Sequence, residues 1–287
     1  MPLSSRFKTN LKRIILAVFV VAGVLALWAF WLEPASIGVR RVSLKVPAWR
    51  GEHAGLRVAV LTDLHVGSPH VGAEKLRRVV GLTNEERPDL VLILGDLVIQ
   101  DVAGGEFVAP ESIADELKSL RATHGVFAVL GNHDWWLDGA RVRRALEGAG
   151  VTVLENDAAR VEHNGRALWV AGVADLWTRD ADVPATLKRV QSDDDPVLLL
   201  THNPDIFPEV PRRVSLTLAG HTHGGQVNLP LLGRLVVPSR YGQRYAMGHV
   251  VEDSRHLYVG GGVGTSIIPV RFRVPPEVVM LTIESER

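Results

Sequence analysis

The pattern of apolar positions divides the chain in two. Residues 14–32 run without a charge or a proline, and beyond Pro34 the apolar residues fall into short runs separated by turns. A helix over residues 14–32 would be about 28 Å long at 1.5 Å per residue, close to the hydrocarbon thickness of a bilayer. Arg6, Lys8, Lys12 and Arg13 precede it, and Trp28 and Trp31 stand at its far end, where interfacial aromatics belong. The run is longer than a signal peptide's and ends in Phe-Trp-Leu-Glu-Pro, which lacks small residues for cleavage. A retained single-pass anchor over residues 1–33 is the expectation. Its basic flank biases the N-terminus to the cytoplasm and the remaining domain, 34–287, to the other side. The bias is modest, because Arg40, Arg41 and Lys45 follow closely.

In the rest of the chain, residues 39–46 alternate and predict an edge strand. Continuous apolar runs predict strands at 56–61, 90–94, 126–130, 151–154, 167–173, 197–200, 214–218, 257–259 and 278–283. Helical spacing marks 73–83, 112–121, 138–148 and 184–190. Strand and helix alternate in the first half, which argues an α/β domain with parallel strands. The second half is richer in strand.

Composition narrows the chemistry. The chain has 287 residues, 46% of them hydrophobic, and no cysteine. Disulfides, thiolate zinc sites, Fe–S clusters and cysteine nucleophiles are excluded. Without residues 1–33 the chain carries 28 basic and 31 acidic residues, so the basic footprint of a nucleic-acid binder is missing in bulk.

Five of the predicted strands end in acid/base or ligand-type residues. Residues 56–61 lead to Asp63 and His65, and 90–94 to Gly95-Asp96. Residues 126–130 lead to Gly-Asn132-His133-Asp134, 197–200 to His202, and 214–218 to Gly-His221-Thr-His223. In open α/β sheets the carboxyl edge is where ligands bind. Each block alone is weak, since Asp-x-His and Gly-Asp arise by chance. Together they hold five of the eleven histidines. The other six, His53, His70, His124, His163, His249 and His256, sit in loop-like or polar contexts.

The ordered set D-x-H, G-D, G-N-H-D, H and G-H-x-H resembles the calcineurin-like metallophosphoesterase superfamily. The stretches GNHDWW, LTHNPDIFPEV, LAGHTHGGQVNLP and GVGTSIIPVRFRVPPEV are similar to its membrane-associated YkuE/YaeI-like phosphodiesterase branch. The resemblance implies a four-layer α/β/β/α sandwich with two central mixed sheets. It implies a phosphoesterase acting on a monoester, diester or pyrophosphate through two divalent metal ions (Mn, Fe, Zn or Co). It further implies one metal on Asp63, His65, Asp96 and His223, and a second on Asp96, Asn132, His202 and His221, with Asp96 bridging. His133 would be catalytic, stabilising phosphoryl charge or protonating the leaving oxygen. Asp134 would orient it or cap the following helix.

A membrane anchor favours a lipid-linked substrate, and the same family contains UDP-diacylglucosamine hydrolases. A non-catalytic scaffold would have lost ligands, and here all are present. Trp135 and Trp136 read as groove, lipid-facing or core residues, with core favoured for at least one. Arg271 and Arg273 read as solvated or as reaching a substrate phosphate.

Overall fold

The computed structural model describes residues 5–46, 49–100 and 102–285. Helix α1 (Ser5–Leu27) continues through a π-helical turn (Trp28–Leu32) into the short α2 (Glu33–Ala35), and its residues from Arg6 to Trp28 are exposed. By length and composition, Arg6–Ala35 could cross a membrane.

Two six-stranded sheets follow. The first takes β1 (Gly38–Val46), β2 (Leu56–Leu61), β3 (Leu90–Leu94), β4 (Val126–Val129), β5 (Thr152–Val153) and a strand from the C-terminal end of the chain. The second takes β6 (Asp157–His163), β7 (Arg166–Gly172), β8 (Val197–Leu200), β9 (Leu216–Ala219), β10 (Gly248–Glu252) and β11 (Arg255–Val259). The late strand of the first sheet is β12 (Glu277–Ser285), inserted between β1 and β2. Strands β2 to β5 are parallel, as are β7, β8, β9 and β11, while β12 opposes β2 and the outer hairpin strands β6 and β10 oppose their partners. Both sheets are therefore mixed.

Burial on both faces explains the continuous apolar runs. All five residues of β3 are fully buried. Leu92 and Leu94 face Leu198, Leu200 and Leu218 of the other sheet, and Val91 and Ile93 face the helices. Those helices are α3 (Ala73–Glu85), α4 (Pro110–Leu117) and α5 (Asn132–Gly148); α6 (Val183–Lys188) covers the second sheet from outside. The result is a four-layer α/β/β/α sandwich.

Several boundaries differ from those expected. Helix α4 starts at Pro110, which suits a first helical turn because it has no N–H to satisfy, and Ser119 and Leu120 lie in turns rather than in the helix. Helix α5 starts six residues before the expected 138. The backbone leaves helical angles at Asp138 (φ −175°), whose Oδ1 accepts from the Arg141 N–H at 3.0 Å, so the apolar periodicity restarts there. Strands β6 and β10 were not expected.

Candidate metal centre

The carboxyl ends of five parallel strands converge on one edge of the sandwich. Asp63 and His65 follow β2, Asp96 follows β3, and Asn132 and His133 open α5 behind β4. From the second sheet, His202 follows β8, and His221 and His223 follow β9. Asp63, His65, Asp96, His221 and His223 all adopt positive φ, between 42° and 69°. Non-glycine residues rarely do so, and such backbone concentrates at functional sites. The turns are fixed to one another: the N–H of Asp63 donates to Gly95 O, that of His65 to Asp96 O, and that of Gly220 to His202 O.

Two groups of ligand-type side chains result. Asp63, His65 and His223 form one, with His65 Nε2 3.1 Å from His223 Nε2 and His223 Nε2 3.4 Å from Asp63 Oδ1. Asp96, His202 and His221 form the other, with His202 Nε2 3.1 Å from Asp96 Oδ2 and 3.2 Å from His221 Nδ1. The same Asp96 Oδ2 lies 3.6 Å from His65 Nε2, so one carboxylate oxygen stands between the groups. Atoms about 2.1 Å from a shared centre are separated by roughly 3.0–3.4 Å, which is the spacing seen here. Asn132 Oδ1 is buried without a hydrogen-bond partner. Unpaired buried polar atoms call for a partner, and a cation would supply one. The donor set fits divalent metal.

Carbonyl oxygens fix the imidazoles from behind. His65 Nδ1 donates to Val98 O (3.1 Å) and His202 Nδ1 to Leu94 O (2.7 Å). Each ring is thereby held with Nε2 aimed inward, the usual support of a metal-ligating histidine. The glycine run after β11 backs the first group. The Gly264 N–H donates to Asp63 O at 2.7 Å, and a Cβ at Gly264 would lie 2.6 Å from the His65 Cβ, so only glycine fits.

Above these groups is a pocket of about 400 Å³, lined among others by Asp96, Asn132, His133, Trp136, Trp177 and His221. The His133 ring lies 4.7 Å from that of His65 and 4.8 Å from that of Trp136. Trp177, whose site role the sequence did not signal, lies 4.3 Å from His221. Asp134 is fully buried, and its carboxylate accepts N–H bonds from Gly131, Asp96 and Leu97 at 2.8–2.9 Å. It caps α5 and ties the Asp96 turn to it.

Residues 56–225 match the family described as calcineurin-like phosphoesterase. The chain belongs to that family. It is a metal-dependent phosphoester hydrolase by class, of a family that binds two divalent metals. It is 31% identical over 261 residues to the metallophosphoesterase YkuE of Bacillus subtilis (strain 168), covering 90% of this chain and 89% of the relative. It is 34% identical over 233 residues to phosphodiesterase YaeI of Escherichia coli (strain K12), covering 79% and 82%. A transmembrane protein with a metallophosphoesterase domain from Danio rerio is 29% identical over 291 residues, covering 96% of this chain and 63% of the relative.

In this phosphoesterase, burial pushes His65 and His221 down to about 3 and lowers His223 as well. They stand neutral at physiological pH, the state in which imidazole binds metal. Burial also lifts Asp63 to about 6 and, with the Asp96 charge adding to it, Asp134 to about 7. For His202 and Asp96 burial works the other way but is outweighed by their mutual attraction, which raises His202 to about 10 and holds Asp96 well below the usual carboxylate range. Charge at the centre is thus concentrated on the Asp96–His202 pair, and a metal held by His202 Nε2 would take the place of its proton.

Other sequence expectations need correction. Arg271 is not solvated. It is fully buried, and its guanidinium donates to the carbonyls of Gly261, Gly264 and Val274. Arg273 is exposed. Trp135 packs on the core with its Nε1 bonded to Glu155, while Trp136 is half-exposed in the pocket. Among the six remaining histidines, His163, His249 and His256 are strand residues rather than loop residues. His163 Nδ1 lies 3.0 Å from His124 Nε2, and His249 Nε2 lies 3.1 Å from His256 Nδ1.

Proposed function

We propose that this protein is a membrane-anchored phosphoesterase with a dinuclear metal centre, residues 1–33 forming the cytoplasmic N-terminus and anchor and 34–287 the catalytic domain. The observation that carries the reading is Asp96 Oδ2, set between two ligand groups on a pocket floor. Asp63, His65, Asp96 and His223 would hold one cation, and Asp96, Asn132, His202 and His221 the other. When bound, two divalent cations (Mn, Fe, Zn or Co suit this nitrogen and oxygen donor set) neutralise phosphoryl oxygens and lower the pKa of the attacking water. His133 contributes what the cations do not. Its N–H is held by Asp96 Oδ1 at 2.9 Å, and its ring lines the pocket, where it meets phosphoryl charge or gives a proton to the leaving oxygen. Asp134 is a positioning residue: it fixes the backbone on which both Asp96 and His133 stand.

The name of the relative YaeI supports a phosphodiester as substrate. Chelation of the purified protein is expected to abolish hydrolysis of bis-p-nitrophenyl phosphate, and Mn²⁺ or a similar ion to restore it. Full turnover in a sample shown by elemental analysis to be metal-free would refute the dinuclear reading.

Anchoring is supported by the long exposed apolar helix and by the transmembrane relative. The four basic residues before the span orient the catalytic domain away from the cytoplasm. The protein is expected to stay in membranes through a carbonate wash. A reporter fused after Arg287 that works only outside the cytoplasm is expected to be active. A silent reporter would reverse the orientation and point to lipid precursors at the cytoplasmic face, such as UDP-diacylglucosamine.

A further inference from the structure

The rim of the metal pocket is unusual for a surface in water. Leu229 and Gly233 exchange two backbone hydrogen bonds of 2.9 Å and close a tight turn. The tip of such a turn ordinarily carries Asn, Asp or Gly. Here it carries Pro230, Leu231 and Leu232, all exposed. Leu231 stands wholly out, at 106% relative exposure, on left-handed backbone (φ 68°). Leu235 and Val236 continue the apolar surface, and Val236 lines the pocket mouth. Opposite, Ile267 is 71% exposed and lines the same mouth, with Ile268 exposed beside it. The two sides are joined, since Gln226 bonds both Ser266 N and Ile268 O. Single exposed apolar residues need no explanation, but a contiguous set around one opening does.

The apolar helix ends at this same rim. The Arg271 N–H donates to Ala29 O at 2.9 Å. Arg271 follows Ile267 by four positions, at most about 14 Å of chain. Glu33, buried, accepts from Val274 N and from Trp28 Nε1, both at 2.6 Å. His70 Nε2 donates to Phe30 O at 3.0 Å, and Lys75 Nζ to Pro34 O at 2.5 Å. The end of the helix is therefore fixed rigidly to the edge of the sandwich where the pocket opens. A helix that leaves a bilayer there brings Leu231, Leu232 and Ile267 down to the bilayer surface with it.

We infer that the mouth of the pocket lies on the membrane, with residues 229–236 and 267–268 seated among lipid, and that the substrate is a phosphate ester carried on a lipid and admitted from the bilayer. The substrate part of this inference rests on the phosphoesterase reading above. The phosphate would reach Asn132 and His133 while the aliphatic portion follows Val236, Ile267 and Trp136.

The full chain in nanodiscs of phosphatidylcholine and phosphatidylglycerol tests this. The protein has no cysteine, so Leu232→Cys takes a single environment-sensitive fluorophore. Asp194→Cys, exposed before β8 and so at the opposite edge of the sheet, is the control. Emission from position 232 is expected to shift to the blue and to be quenched by lipids bearing spin labels, with position 194 unchanged. Water-like, unquenched emission at 232 overturns the docking. The second arm compares p-nitrophenyl hexadecyl phosphate, held in the disc, with p-nitrophenyl ethyl phosphate in solution, after metal reconstitution. The hexadecyl ester is expected to be preferred at least 10-fold. Leu231→Asp with Leu232→Asp should abolish that preference and leave ethyl ester turnover unchanged. Equal rates for the two esters, or a preference indifferent to the double substitution, overturn the lipid substrate. If neither ester is cleaved, the phosphoesterase reading fails, and quenching at 232 still decides the docking.

Discussion

Asp96→Asn is expected to empty both metal positions and to reduce turnover of bis-p-nitrophenyl phosphate further than any other single ligand change. Asp96 Oδ2 lies 3.1 Å from His202 Nε2 and 3.6 Å from His65 Nε2, so it is the one carboxylate shared by the two groups. Asparagine keeps the shape, and its amide oxygen can still accept the His133 N–H that Oδ1 now holds. What it removes is the charge. A neutral amide neither bridges two dications nor balances the histidines around it. His133→Ala should behave differently. The metals stay, and turnover falls by roughly 10²–10⁴-fold, as for loss of a general acid or a charge-stabilising group. Elemental analysis beside kinetics separates the two. If His133→Ala lost its metal while Asp96→Asn kept two ions per chain, the assigned roles would be exchanged.

These residues were legible because each follows an apolar strand directly. A run such as Leu90–Leu94 is buried on both faces, so it announces its own end, and a ligand-type residue there stands at the sheet's carboxyl edge. The same logic explains the misses. Strands β6 and β10 are the two edges of the second sheet, and they mix exposed charged residues such as Glu162 with few inward ones. They lack an apolar run. A signal was nonetheless present for β6. Asn164-Gly165 joins β6 to β7 with both residues at positive φ (51° and 72°), the conformation for which Asn-Gly is the strongest short hairpin sign. Asp253-Ser254 does the same between β10 and β11, at 50° and 61°, with a weaker dipeptide.

The start of α5 was hidden for another reason. Asn132 and His133 are polar because the pocket needs them, so they contribute nothing to helical periodicity although they are its first residues. Arg271 shows the limit of reading charge as solvation. Its partners are carbonyls of a glycine run several residues away and of Val274, and backbone acceptors leave no mark in composition. Trp177 was equally silent. It reaches the pocket from beyond β7 through a contact with His221 that only the packing of neighbouring strands produces.

Gly131→Ala is expected to act on the same centre as Asp96→Asn without altering any ligand. The residue has extended backbone (φ −103°, ψ 179°), which alanine adopts without strain, so the effect is one of space alone. A Cβ there would lie 2.2 Å from Asp96 Oδ1, 2.7 Å from Asp96 N and 2.8 Å from His202 Cε1. Neither neighbour can yield easily. Asp96 is held from behind by Asp134 and His202 by Leu94 O. The added methyl therefore has to move the bridging carboxylate and one imidazole together. Overpacking of this kind costs about 1–3 kcal/mol of stability, and displacing reacting groups by about 1 Å can lower turnover roughly 10²-fold. Activity should thus fall at least that far, with weakened metal retention, while the thermal midpoint drops by no more than several degrees. Gly148→Ala is the matched control. It stands near the far end of the same helix with nothing within 4 Å of its new Cβ, and alanine favours a helix over glycine, so activity should hold and stability should not fall. Wild-type turnover and full metal content in Gly131→Ala would mean that Asp96 can move freely, and the tight bridging role argued for it would be wrong.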